Sequence, residues 1–411
     1  MSNTSVRATG LGSAVAMLAA HASATTYVVA QNGGGQFTDI PPAIAASQPG
    51  DVLLVQSGAY SAFTLNKGLV IIGYGNPAIT GTATISGVPA EQTAALLKCF
   101  PTQLSIANCV GAVIVQDLEP PGHPLGHIAV QNSRDVRFRK LNAAMPVNST
   151  LNACDVSTSR VEIVGGSLTG APAFACTSGN GTNGGYFLSS RVQFALANAT
   201  GGDGGVCPFP ALGGNGGSGI VMQGSTALIL TGGGVSVLWG GDEGGDSSYQ
   251  DCSANGHPGS PVLSYGGTLW WSGAQFYCYD WYYGHLCLDL GCNPDPGGTQ
   301  VTPDDPTLEM SGNPIAQQTV QFSLRAPPGS TAILYFGRTA IVVPTPNVLI
   351  EQLTPMAHVI DLGAVPASGI VTQNWPIAAG LPPGTMFIAQ AEITVGPGDV
   401  RHTNSVPVIL H

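Results

Sequence analysis

The stretch QFTDIPPAIAASQPGDVLLVQSGAYSAFTLNKGLVIIGYG, residues 36–75, decides the fold. Phe37, Ile40 and Ile44 recur at i, i+3 and i+7, Thr38 and Asp39 offer N-cap oxygens, and Pro41 stands in the first turn, where its missing N–H costs nothing. These features predict a short amphipathic helix, broken at Pro49-Gly50-Asp51. Two apolar, β-branched runs follow at residues 52–55 and 69–72, with turn signals at Ser57-Gly58 and Asn66-Lys67-Gly68. A helix laid over the first turn of a coil of strands would hide an edge that could otherwise pair with other molecules.

Working outward, a repeating unit emerges. Val113-Ile114-Val115-Gln116-Asp117 aligns with Val136-Arg137-Phe138-Arg139-Lys140 and with Val161-Glu162-Ile163-Val164-Gly165, at spacings of 23 and 25 residues. Val192-Gln193-Phe194 continues the series, followed by runs at residues 227–230 and 269–271. Strand alternation puts two apolar residues of each run on one face, so the runs read as rungs of a solenoid. Between later rungs the chain is rich in glycine, with 17 among residues 201–250. Such segments either hug a rung without side chains or serve as disordered linkers.

The segment GGGQFTDIPPAIAASQPGDVLLVQSGAYSAFTLNKGLVIIGYGNPAITG, residues 33–81, resembles the N-terminal cap and first coil of right-handed parallel β-helix proteins of the pectin-lyase-like superfamily, pectinesterases included. The rung pattern extends the resemblance loosely to about residue 290. It implies a cylinder of parallel sheets, and, for carbohydrate-active members, carboxylates with an Arg or Lys on the outer face of central rungs. There is no RxPxxR lyase signature, and Gln116-Asp117-Leu118 lacks the surroundings of a pectinesterase active-site segment.

Residues 293–306, NPDPGGTQVTPDDP, read as a linker. Short alternating runs follow at residues 320–324, 332–336, 358–360, 370–375, 386–394 and 406–410, separated by turns such as Pro327-Pro328-Gly329. They predict a small antiparallel β-sandwich, similar to modules that follow β-helices in other secreted bacterial proteins. The expected architecture is therefore all-β: a right-handed parallel β-helix with an N-terminal capping helix over residues 25–292, then a linker, then a sandwich over residues 307–411.

Residues 1–24 carry one charge, Arg7, an apolar run and the small-residue site Ala22-Ser23-Ala24, which fits a secretory signal peptide. No later run is long enough to span a bilayer, so a secreted protein, extracellular or at the cell surface, is expected. Nine cysteines without a paired CxxC suit disulfides in an oxidising compartment, with Cys99–Cys109 and Cys287–Cys292 as local pairings and one thiol left over. The formal net charge is −11, and residues 192–324 contain no Lys or Arg. That argues against a nucleic-acid partner.

Four groups could carry function. Asp117, Asp135, Arg137, Arg139 and Lys140 form the densest charge cluster and could act on a sugar acid. The same alignment stacks Asp117 on Lys140, Asp135 on Arg160 and Arg137 on Glu162, so the cluster could equally be a neutralised outer face. Arg139, stacked between Gln116 and Val164, is the cation expected to be freest to meet a ligand. Asp242, Glu243 and Asp246 could hold calcium or form a solvated acidic loop. His123 and His127 read as surface histidines. Trp271, Tyr279, Trp281 and Tyr282, within an aromatic run that also includes Trp270, Phe276, Tyr277 and Tyr283, could stack on sugar rings or plug the end of the last coil. No cofactor motif is present: the glycine pairs lack a Walker lysine and no serine sits in GxSxG. Two functions remain open: a monomeric, non-catalytic protein contacting extracellular polysaccharide or matrix, and a lyase or esterase acting on a uronate-containing glycan.

Overall fold

The computed structural model describes residues 24–118, 125–173, 179–205, 214–231, 236–242, 257, 259–272, 274–277, 299–300, 306–337 and 358–410. The expected leader apart from Ala24, most of the expected linker, and Cys176, Cys207, Cys252, Cys278, Cys287 and Cys292 lie outside the described residues.

The helix is Ile40–Ala46, with Asp39 as its cap: the Asp39 carboxylate accepts from Ile40 N at 2.8 Å and from Ser61 N at 3.1 Å. At the other end Lys67 Nζ donates to the carbonyls of Ile44 and Ser47, at 3.0 and 2.8 Å, placing a cation where helix carbonyls lack partners. Ile40, Ala43 and Ile44 turn inward and join the core.

Below the helix the chain winds as a parallel β-helix. A larger sheet runs through Thr26–Val29, Val52–Val55, Val70–Gly73, Thr93–Leu97, Ala112–Gln116, Asp135–Ala144, Arg160–Thr169, Arg191–Thr200, Ala227–Thr231, Thr268–Ser272 and Thr299–Gln300. A second sheet runs from Ala59–Leu65 to Val262–Tyr265, through Cys154–Ser157 and Gly185–Leu188, and every pairing in both is parallel. The expected register holds: Val113, Val136, Val161 and Val192 share one column, and Phe138 lies between Val115 and Ile163. These side chains are buried in a continuous core, where each large apolar residue contributes roughly 1.5–3 kcal/mol.

Corners repeat as faithfully as strands. Lys98, Asp117, Lys140, Gly165 and Leu196 occupy equivalent positions and all adopt left-handed φ, 51, 53, 50, 70 and 53°. At another corner Asn108, Asn132, Thr158 and Ser189 do the same, and Asn132 Nδ2 donates to Asn108 Oδ1 at 2.9 Å. Just beyond that corner a column of buried hydroxyls runs down the coil. Cys109 N donates to Ser133 Oγ, Ser133 N to Ser159 Oγ, Ser159 N to Ser190 Oγ and Ser190 N to Thr226 Oγ1, at 3.2, 3.0, 3.1 and 3.4 Å. Each satisfies an N–H that the turn has taken out of the ladder.

The glycine-rich segments form a second kind of stack. Gly201 N and Gly204 N donate to the carbonyls of Trp239 and Asp242, while Gly202 N and Gly205 N donate to those of Thr182 and Gly179. Gly214 N and Gly217 N reach Gly205 O and Gly202 O, and Gly216 N and Gly219 N reach His257 O and Ser260 O. Bonds repeat every third residue and alternate between two neighbours, the repeat of a polyproline-II-type helix, which has no internal hydrogen bonds. Glycine is required here by proximity: a Cβ on Gly201 would lie 1.7 Å from Gly217 O, and one on Gly240 1.7 Å from Gly259 O. The described parts of these segments are thus a hydrogen-bonded wall, which resolves the choice between hugging loops and linkers for them.

Beyond the coil an antiparallel, sandwich-like module has its own core. A three-stranded sheet (Thr307–Ser311, Thr319–Arg325, Ile370–Pro376) faces a five-stranded one (His358–Ala364, Thr331–Gly337, Met386–Gly396, Asp399–His402, Val406–Ile409). Phe322, Phe336 and Trp375 meet between them, the last two with ring centroids 4.4 Å apart. The module docks on the outer face of the coil's larger sheet. Ile409 and Met386 pack on Val52, Val70, Ile72, Ala95, Leu97 and Ile114. This explains why the early rungs are apolar on both faces, since a parallel sheet covered on both sides reads as an unbroken apolar run.

Candidate functional site

The docking face also contains the charge cluster. Arg137 lies opposite Glu162 as expected, with Arg137 buried and Glu162 half-buried under the C-terminal module. Arg137 is 5% exposed; it grips Asp135 with Nε and Nη2 at 2.8 and 3.1 Å and donates through Nη1 to Ser405 Oγ at 3.0 Å. Glu162 accepts from Ser405 N at 2.7 Å and from the Ser405 hydroxyl. Burial pushes the Glu162 carboxyl above its ordinary range, against the opposing pull of Arg137. Burial pulls the Arg137 guanidinium down, but Asp135 and Glu162 outweigh it and the net shift is upward.

Arg139 corrects the expectation made for it. It does sit between Gln116 and Val164, but it is 6% exposed and donates to Met310 O at 2.6 Å and Pro407 O at 3.5 Å, both on the C-terminal module. Burial lowers its pKa, with Asp117 and Glu309 opposing. The cation freest by rung arithmetic is a domain-docking group, because a partner more than a hundred residues away covers it. Asp117 accepts from Gln116 Nε2 at 3.0 Å and Lys140 is exposed at the same corner column.

The other expectations divide. Cys99 and Cys109 are each free and separately buried, not bridged, as is Cys154. Their rungs place them in the coil interior, where Cys109 Sγ donates toward Ala107 O at 3.4 Å and burial raises the thiols of Cys99 and Cys154. Trp271 packs edge-on against Phe276, centroids 5.2 Å apart, and leans on the core; Tyr279, Trp281 and Tyr282 lie outside the described residues. Asp242 N donates to Asp203 Oδ1 at 2.9 Å, while Glu243 and Asp246 lie outside them, as does His123.

His127 leads to a feature that sequence reading missed. Its Nδ1 is 2.9 Å from Asn152 O and its Nε2 3.6 Å from Asp155 Oδ2. Asn152 Nδ2 donates to Asp155 Oδ1 at 2.7 Å, and Asn152 Oδ1 accepts from Asn183 N and Nδ2 at 3.1 and 3.0 Å. Asn183 Oδ1 accepts from Ser218 N, and Asn180 Oδ1 from Asn215 N, both at 2.9 Å. These residues border a cleft of about 610 Å³ lined by Asn148–Thr150, Asn152, Ala173 and Gly179–Asn183. Its described lining is amide, hydroxyl, glycine backbone and the methyl of Ala173, with no formal charge among those residues. Asp155 stands beside it on the outer face of the second sheet, with Tyr186 next in register and half-buried. Burial raises the Asp155 carboxyl, against Asn152 and His127. The asparagines were visible in the sequence, but Asn in a loop is ordinary turn chemistry, and only the stacked coil brings residues 148–152 alongside 179–183.

No protein-family model matches the chain, and no curated protein matches it. Among solved structures there is a likeness to the enzymatically active domain of tailspike protein 4 of bacteriophage CBA120, at 9% identity and a TM-score of 0.18, over 88% of this chain and 64% of that one. So slight a likeness carries no argument, and the parallel β-helix is assigned from the strand pairing itself.

Proposed function

We propose that this is an exported β-helix protein of the pectin-lyase-like type that binds extracellular polysaccharide without cleaving it. The observation that carries the reading is the cleft of about 610 Å³, within the usual range for small ligands, whose lining offers donors and acceptors at fixed orientations. Glycan hydroxyls both donate and accept, which suits a lining of amides and hydroxyls. Export is supported by the leader-like residues 1–24.

The competing reading, a lyase or esterase acting on uronates, needs a positioned cation, metal or donor array for the developing negative charge. Arg137 and Arg139, the central-rung cations proposed for that task, are engaged in holding the C-terminal module. The test is a panel of polysaccharides incubated with the purified protein, with and without calcium, read for binding and for products. Retention of the protein on a polysaccharide without release of unsaturated sugars or methanol is expected. Product release would overturn the non-catalytic reading.

A further inference from the structure

The cleft's electrostatics say more about its ligand than its volume does. Among Asn148, Ser149, Thr150, Asn152, Asn180 and Thr182 there are neutral donors and acceptors only. The neighbouring ionisable pair is Asp155 with His127, and the Asp155 carboxylate is already held by Asn152 at 2.7 Å. A carboxylate or sulfate entering here would be desolvated with no cation among the described lining residues, against a chain of net charge −11. An uncharged sugar meets none of these penalties.

The polar groups are also aimed. Asn180 Oδ1 is occupied by Asn215 N, so its exposed amide presents the NH₂ end as a donor. Ser149 Oγ accepts from Leu151 N at 3.1 Å and Thr182 Oγ1 from Ala171 N at 2.7 Å, which leaves their hydroxyl protons to be donated. Gly179 and Gly181 carry no side chain because their Cβ positions lie 3.0 Å from Ala173 Cβ and 1.7 Å from Gly202 O, so glycine lets this wall of the cleft pack against its neighbours. Asn180 is anchored by a backbone group of the adjacent coil and Ser149 and Thr182 by backbone groups of their own, and such preorganisation lowers the ordering cost of binding.

Resting on the glycan-binding reading, we propose that the cleft at Asn148–Thr150 and Gly179–Asn183 is a subsite for an uncharged sugar unit of a polysaccharide and discriminates against uronates. The experiment is calorimetric titration of the full chain with neutral oligosaccharides of glucose, mannose or N-acetylglucosamine and with oligogalacturonate and oligoalginate, at low and high salt. At least one neutral oligosaccharide should bind with an affinity indifferent to salt, while the uronates bind at least about tenfold more weakly, as expected when screening acts only on charged ligands. Thr150→Ala, at an exposed position, and Asn180→Ala, which also releases Asn215 N and is therefore checked for an unchanged thermal midpoint, should each weaken the neutral ligand about 5–10-fold, the value of one hydrogen bond. Asn180→Lys should bring uronate affinity up toward the neutral one. Uronates binding as tightly as neutral sugars, or neutral binding untouched by both alanine variants, would overturn the subsite while leaving glycan binding standing. Binding of no oligosaccharide of either class would overturn both.

Discussion

Arg139 Nη2 ends 2.6 Å from Met310 O, and Arg137 Nη1 ends 3.0 Å from Ser405 Oγ, so two side chains of one strand hold the second module through different chemistry. Arg139→Ala removes donors to neutral carbonyls and should cost about 1–3 kcal/mol, while Arg137→Ala leaves Glu162 buried without its cation and should cost about 3–5 kcal/mol. Urea unfolding of the two variants measures the difference, and neutral-glycan affinity should be unchanged in both. Equal, negligible losses would show that the module does not rest on these groups. His402 is a second residue whose surroundings make a prediction. It is 4% exposed, and burial holds its imidazole below the ordinary 6.5, although Glu392 Oε2 lies 3.4 Å from Nε2 and pulls the other way. A depressed histidine contributes stability that is present above pH 6.5 and lost as pH falls through its lower folded value. Glu162, raised by burial, has the opposite sign: its contribution is present below its ordinary 4.5 and lost as pH rises through the folded value. Thermal unfolding from pH 7 downward should therefore show a loss beginning near the histidine window, and His402→Gln should remove it. An unchanged slope in that variant would assign the proton to another group.

At the level of elements, two kinds of regular stacking share one coil and tolerate different substitutions. Rungs accept any apolar residue of suitable volume at inward positions, which is why the columns through Val136 and Phe138 could be aligned from sequence. The hydroxyl column is present there too, as Ser133, Ser159 and Ser190, but single serines in turns carry no periodic apolar signal. The glycine wall was half legible. Its composition is unmistakable, yet its order lies in a three-residue hydrogen-bond repeat between chain segments, which neither helical nor strand periodicity reports. Gly201→Ala would drive a Cβ to 1.7 Å from Gly217 O, so the segments must part; a loss of about 3 kcal/mol or more is expected. Gly33→Ala, with nothing within 4 Å of the added carbon but a φ of +88°, should show only the smaller backbone penalty of about 1–2 kcal/mol. Similar effects of the two would mean that close packing is not what glycine supplies in the wall.

The whole molecule differs from a rung diagram in what covers what. The apolar run Val52–Val55 belongs to a sheet buried on both faces, and its cover, Met386 and Ile409, comes from the far end of the chain. That placement moves the candidate site. Arg137 and Arg139 are covered by the C-terminal module, whereas Asn152, held to Asp155 of the second sheet, lines a polar cleft. Charge clusters stand out in a sequence, while a neutral cleft assembled from loops one coil apart does not, and of the conspicuous cluster Arg137 and Arg139 are taken up in docking. Hydrogen exchange of the full chain, with and without a bound neutral oligosaccharide, tests this arrangement most directly. Protection should rise at residues 148–152 and 179–186, with residues 135–139 and 162 already slow in the free protein and unchanged on binding. New protection confined to the central rungs, with residues 148–152 and 179–186 unaffected, would contradict it.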